Sequence, residues 1–213
     1  MRKAYFDREF LVPTLFFLAI TVLVYFWQPF LAVIPGILTV GAALFFRDPH
    51  RIISADKNEI VSPADGTVMS VKEDDERDFF NCKVKKVSIF LSVFNVHINR
   101  TPIKGRVTAI RYLPGKFKAA YKECAATENE KNILFIEGEK FPVLVVQIAG
   151  LIARRIVCRV QEGSELEQGE RFGLIRFGSC TEIYVPQEVE ILVSKGDKVR
   201  GGESVIGRWN DEK

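Results

Sequence analysis

The chemistry this chain can do is concentrated in a few residues: Gly178-Ser179, the histidine His97 and the carboxylate Asp65, which precedes Gly66. A serine with a base beside it suggests a hydrolase. However, the segment reads Phe177-Gly178-Ser179-Cys180-Thr181 and lacks the GxSxG elbow, and His97 is the one candidate base in its part of the chain. A second chemistry needs only the serine and its neighbour. The Ser179 hydroxyl lies within a few bonds of the Gly178 carbonyl, and glycine tolerates the backbone distortion that attack requires. An N→O shift would turn the peptide bond into an ester. β-Elimination would release the Gly178 carboxylate and leave dehydroalanine, which hydrolyses to a pyruvoyl group and ammonia. A substrate amine can then form a Schiff base with that ketone, and the iminium draws electrons from a breaking Cα–carboxylate bond. No free cofactor is needed. On residues alone, Gly-Ser between two strand-like runs, Phe172–Phe177 and Glu182–Val185, also reads as an ordinary turn.

The remaining candidates carry similar alternatives. His97 is either a structural hydrogen-bonding residue or the group that titrates near neutral pH and assists serine attack. Asp65 is either a turn former or an acid. His50 adjoins a long apolar segment and reads as an interface residue. The four cysteines, Cys82, Cys124, Cys158 and Cys180, form no CxxC pair, and with only two histidines a zinc cluster is not expected. Scattered thiols suit a reducing compartment. Thirty basic residues against 27 acidic ones give +3, too balanced for a nucleic-acid protein.

These residues must be positioned by two very different stretches of chain. Phe10 to Phe46 contains no charged residue. Gln28-Pro29 divides it into Phe10–Trp27 and Pro29–Phe46, each 18 residues long. At about 1.5 Å per residue each half reaches roughly 27 Å, the short end for a hydrocarbon core of about 30 Å. Arg2, Lys3 and Arg8 flank it on one side, Arg47 and Arg51 on the other. Basic flanks at both ends predict a hairpin, spanning twice or re-entrant, with both ends on the cytoplasmic side of the cell membrane. The expected organisation is a membrane-anchoring hairpin over 1–48 and a β-rich domain over 49–213.

From about Ile52, short runs rich in Val, Ile and Phe alternate with Gly, Pro and Asp turns: Gly66–Val71, Lys85–Leu91, Gly105–Leu113, Asn132–Ile136, Val143–Ile148 and Ile156–Gln161. Phe117–Cys124 could make a short helical turn. Ser62-Pro63-Ala64-Asp65-Gly66 and the Ser194-Lys195-Gly196-Asp197 region resemble turns of lipoyl/biotinyl-type barrels. The predicted fold is mainly β, a compact hammerhead- or lipoyl-like sandwich or barrel preceded by the helical hairpin.

Several blocks together resemble the short, membrane-anchored phosphatidylserine decarboxylases. Gly178-Ser179 is similar to their self-cleavage motif, although Cys180 follows where Thr or Arg is usual. Ser62–Gly66 resembles their S-P-x-D-G turn, Phe90–Pro102 their F-L-S-x-x-x-V-H-x-N-R-x-P segment, and Phe45-Phe46-Arg47-Asp48-Pro49 their membrane-proximal F-x-R-D-P. Tyr112–Gly115 and Glu128–Glu130 resemble two more blocks.

The resemblance implies a proenzyme cut between Gly178 and Ser179 into chains 1–178 and 179–213 that stay together as a heterodimer. It implies a covalent pyruvoyl cofactor made from Ser179, no metal, and decarboxylation of an anionic phospholipid, phosphatidylserine, to phosphatidylethanolamine. It casts Ser179, His97 and Asp65 as catalytic, with Asp65 orienting the histidine, and Asn99 and Arg100 as substrate-binding; Arg100 would offer its fork to phosphate or carboxylate. Lys104, Arg106, Arg111, Lys116 and Lys118 make the middle of the chain basic; most read as ordinary solvated strand residues, and one or two, if they face the membrane, would attract an anionic lipid. A homo-oligomer is compatible with this picture. The competing reading is a non-catalytic, membrane-tethered lipoyl/biotinyl-like binding module; Lys195, flanked by Ser194 and Gly196, is a poor carrier lysine.

Overall fold

The computed structural model describes residues 11–45, 47–53, 56–115, 128–150, 156–175 and 179–210. The chain divides into two compact units, Met1–His50 and Arg51–Lys213.

The first unit holds two helices, α1 (Leu11–Trp27) and α2 (Val33–Phe45). Pro13 and Pro35 each occupy the third helical position, where the missing N–H costs no intrahelical bond. Pro29 stops α1: the last helical bond runs from Gln28 N to Val24 O, and the turn closes through Leu31 N–Gln28 O and Ala32 N–Pro29 O. The helices meet where side chains are small. Thr21 and Thr39 place their hydroxyl oxygens 3.1 Å apart, and Gly36 opposes Thr21. Their other faces expose large apolar groups, among them Phe16, Phe26, Trp27 and Phe30. At 17 and 13 residues the helices reach about 25 and 20 Å. Among the described residues no helix is long and apolar enough to cross a membrane.

The described strands of the second unit are β1 (Glu59–Val61), β2 (Gly66–Glu76), β3 (Cys82–Leu91), β4 (Ile98–Arg100), β5 (Gly105–Leu113), β6 (Lys131–Gly138), β7 (Pro142–Ile148), β8 (Ile156–Cys158), β9 (Glu165–Leu166), β10 (Arg171–Ile175), β11 (Ser179–Pro186), β12 (Val189–Ile191), β13 (Lys198–Val199) and β14 (Val205–Trp209). Eight of these form one curled, half-barrel sheet ordered β13-β2-β3-β11-β7-β6-β5-β9, with β11 near its middle. Two three-stranded sheets complete the unit, β1-β14-β12 and β4-β10-β8. The mainly β fold with an N-terminal helical pair is therefore as the sequence predicts.

Both faces of the large sheet are covered. One carries the main core, including Val68, Ile89, Leu134, Ile136, Phe172, Ile183 and Val185. The other packs Leu144, Val146, Ile148 and Cys180 under Phe79 and Phe80. Phe79 stacks on Phe135 at 5.3 Å and Phe80 meets the same ring edge-on. Double coverage explains why β11 reads as a nearly unbroken buried run rather than an alternating one.

Two glycines show why the turns are where they are. A Cβ on Gly66 would lie 2.2 Å from the Phe90 carbonyl oxygen, so only glycine lets β2 start this close to β3. Gly196 has φ +102 in a turn closed by Asp197 N–Ser194 O, with the Asp197 carboxylate accepting from Ser194 N. The strand expected over Ile156–Gln161 ends at Cys158. The expected helical turn at Phe117–Cys124 lies outside the described residues.

Candidate active site

Ser179 opens β11 at its N-terminal end, paired with Leu91 of β3. It is fully buried, and its Oγ has no hydrogen-bond partner among the described residues. A hydroxyl left so costs about 1–3 kcal/mol, and such an orphan calls for a functional explanation. Arg176, Phe177 and Gly178 lie outside the described residues, so the Gly178–Ser179 bond is described here from its serine side alone.

His97 reaches the same end of the sheet through the backbone. Its carbonyl accepts from Ile175 N at 3.1 Å, four residues before Ser179. Four residues of chain span at most about 14 Å, which keeps the two segments close. The ring is 2% exposed, and Nδ1 lies 2.9 Å from the Asn95 carbonyl oxygen. A carbonyl only accepts, so Nδ1 carries the hydrogen and the neutral ring keeps its lone pair on Nε2, the tautomer a base requires.

Asp65, expected as an acid orienting His97, is held by an arginine and a backbone amide. Its carboxylate takes both oxygens' bonds from Arg51 Nη2, at 2.9 and 2.8 Å, and one from Gly201 N at 2.8 Å. Nδ1 of His97 is oriented by a backbone carbonyl instead. Arg51 also reaches Glu203 at 3.1 Å and is nearly buried. The sequence offered Arg51 only as a basic flank; its part in this cluster depends on residues 14 and 152 positions away, beyond any local pattern.

The Ser62–Gly66 turn transmits this anchoring. Ser62 Oγ donates to Ala64 O, while Pro63 O accepts from Arg100 N at 2.9 Å and from Asn99 Nδ2 at 3.4 Å. Asn99 is fully buried, and both sides of its amide are engaged: Nδ2 also donates to Thr181 Oγ1 at 3.0 Å, and Oδ1 accepts from Gln147 Nε2 at 2.9 Å. Gln147 Oε1 in turn accepts from Asn132 Nδ2. This buried amide chain ties β6, β7 and β4 to β11 two residues beyond Ser179. Sequence reasoning missed Gln147 and Asn132, since polar residues within strands give no local sign of meeting. Arg100 is 6% exposed and its Nη1 donates to the Gly169 carbonyl at 3.0 Å.

Cys180 points to the opposite face from Ser179, and burial pushes its thiol well above the usual range, so it is protonated rather than nucleophilic. On that face Glu182 accepts from Ser88 Oγ at 3.1 Å and from Tyr184 OH at 2.8 Å. Burial, then Glu182, raises the Tyr184 phenol far above its ordinary value. The basic residues of the middle segment meet acids: Lys104 with Glu167, Arg106 with Glu165, and Arg111 with Asp78. Lys116 and Lys118 lie outside the described residues.

The site can therefore present a buried hydroxyl, a histidine in the basic tautomer and a rigid floor. That fits a group built from Ser179 itself, since the hydroxyl is already desolvated at the strand end where such a group would stand.

The family model described as phosphatidylserine decarboxylase matches residues 40–207. The chain is 48% identical over 187 residues to a phosphatidylserine decarboxylase proenzyme of Carboxydothermus hydrogenoformans, covering 87% of this chain and 86% of the relative. It is 45% identical to the like-named protein of Syntrophus aciditrophicus, covering 85% and 86%. With that of Symbiobacterium thermophilum it shares 49% identity, covering 81% and 83%.

Proposed function

The chain belongs to the phosphatidylserine decarboxylase family, and we propose that it cuts itself before Ser179 and uses the pyruvoyl group so formed to convert phosphatidylserine to phosphatidylethanolamine. The relatives' names, which specify a proenzyme and its substrate, support this reading. The observation that carries it is the orphaned, fully buried Ser179 hydroxyl at the start of β11.

In self-processing, Ser179 Oγ attacks the Gly178 carbonyl carbon while His97 takes the hydroxyl proton. The Gly178–Ser179 C–N bond breaks, the nitrogen takes a proton, and an ester joins the two residues. Loss of the Ser179 Cα proton and cleavage of the Cβ–O bond release the Gly178 carboxylate. Water then replaces the nitrogen, which leaves as ammonia, and the ketone remains at residue 179. Such a group supplies an electron sink for decarboxylation. The chain's own residues do the rest: the Asn99–Thr181 bond holds β11 in place, the Asn95 carbonyl holds the His97 tautomer, and Arg51 with Asp65 anchors the turn bearing Pro63. Arg100 is the residue we assign to the anionic head group, through an opening of the loop whose Gly169 carbonyl it holds. The apolar helical pair attaches the enzyme to the cytoplasmic face of the cell membrane, where a two-chain lipid and its product both remain.

On a denaturing gel the purified protein should run as pieces 1–178 and 179–213, and Ser179→Ala as one uncut chain. A wild-type chain that stays whole, with no turnover, would leave the non-catalytic binding module as the better reading.

A further inference from the structure

Between Lys86 and Arg100 the chain carries no Asp, Glu, Lys or Arg, in a protein whose composition is 27% charged. This stretch makes a turn that projects its apolar residues outward. Val93 is 43% exposed and Phe94 83%. The turn is closed by its own polar groups: Asn95 N donates to Ser92 O at 3.0 Å, and Asn95 Oδ1 accepts from Ser92 N at 2.9 Å and Ser92 Oγ at 2.7 Å. Its backbone needs are thus partly met from within, as entry into an apolar phase demands. On one side the turn continues from Leu91, the partner of Ser179; on the other it leads to His97, whose ring rests on the Asn95 carbonyl.

We propose that Val93 and Phe94 form a tip that enters the acyl-chain boundary of the bilayer and sets the height of the active site above the head groups. The proposal rests on the lipid substrate assigned above. Two observations favour hydrocarbon over water or a second protein as the occupant. The tip is apolar without any charged rim in its own segment, whereas protein interfaces carry polar, charged edges. The same chain also displays large apolar side chains on α1 and α2 that call for an apolar phase. A rigid turn carrying an aromatic residue next to the asparagine that holds the histidine would couple insertion to the position of the site.

The test uses full-length processed protein. With Trp27→Phe and Trp209→Phe as background, Phe94→Trp should shift its emission to the blue on adding phosphatidylserine–phosphatidylcholine vesicles, and lipids brominated on their acyl chains should quench it. Phe94→Ser should self-cleave normally. It should lose about tenfold in turnover on vesicles, expressed in KM, yet stay within about twofold on short-chain phosphatidylserine dispersed as monomers. Water-like, unquenched emission, or equal losses on both substrates, would overturn the proposal. So would a blue shift that arises without lipid and grows with protein concentration, which would mean the tip meets a second copy. Absence of turnover of the short-chain lipid by wild type would instead defeat the substrate assignment, while quenching in the Phe94→Trp variant still decides where the tip lies.

Discussion

At the scale of single residues, the buried polar atoms around Ser179 form a graded set. The serine oxygen has no described partner, His97 has its Nδ1 hydrogen fixed by a carbonyl, and the amides behind them are bonded on both sides. Removing the base should hurt chemistry: His97→Ala should slow self-cleavage by about 10²–10⁴-fold, read as the half-time of the uncut band. Removing a bonded amide should hurt position. Gln147→Ala leaves Asn99 Oδ1 and Asn132 Nδ2 without their buried partner and should cost about 1–3 kcal/mol, seen as a lower melting temperature together with slower cleavage. The residues proposed to bear the chemistry stand in short, local patterns that a sequence displays, Gly178-Ser179 and the His97 segment. Their supports do not. Arg51 reaches Asp65 and Glu203 across the fold, contacts that no local pattern announces.

The same scale gives a pH prediction. Burial raises both the Cys180 thiol and the Tyr184 phenol above their ordinary values of 9.0 and 10.0. A raised folded value means that the unfolded chain loses these protons first, so stability is complete below pH 9 and falls as pH rises past 9 and then 10. Chemical denaturation followed from pH 8 to 11 should show this fall, and Tyr184→Phe should flatten its upper part. An unchanged slope in that variant would exclude Tyr184 as a contributor.

At the scale of elements, legibility followed length. Long strands such as β5, β6 and β7 were readable because Val, Ile and Phe recur between clear turn residues. Of the two- and three-residue strands, β8 fell within an expected run, whereas β1, β4, β9, β12 and β13 are too short for any period to register. The helical hairpin was legible from the absence of charge and from Gln28-Pro29; α1 ends at Trp27 as expected, but α2 begins only at Val33, because residues 29–32 are spent on the turn. The close start of β2 gives a sharp element-scale prediction. Gly66→Ala would force a Cβ against the Phe90 carbonyl. It should destabilise by about 1–3 kcal/mol or more and impair cleavage, since β3 carries Leu91 opposite Ser179. A melting temperature equal to wild type would contradict the packing described.

At the scale of the whole molecule, the proposed cut before Ser179 would divide the sheet system without detaching it. The 179–213 piece supplies β11 to β14. Of these, β11 pairs with β3 and β7, β13 with β2, and β14 with β1, all on the larger piece. The two pieces should therefore co-elute on gel filtration under native conditions and separate only in denaturant. With β11 paired on both sides in mid-sheet, a chain cut before Ser179 would remain one folded body.

The most direct measurement is the intact mass of the smaller piece from purified wild-type protein. The 179–213 fragment should be lighter by one ammonia than the same peptide beginning with free serine, and after treatment with amine and borohydride should gain the mass of the amine less one oxygen, the ketone oxygen leaving as water. A fragment with a free serine at its start, or an uncut chain that turns over phosphatidylserine, would contradict self-processing at Ser179.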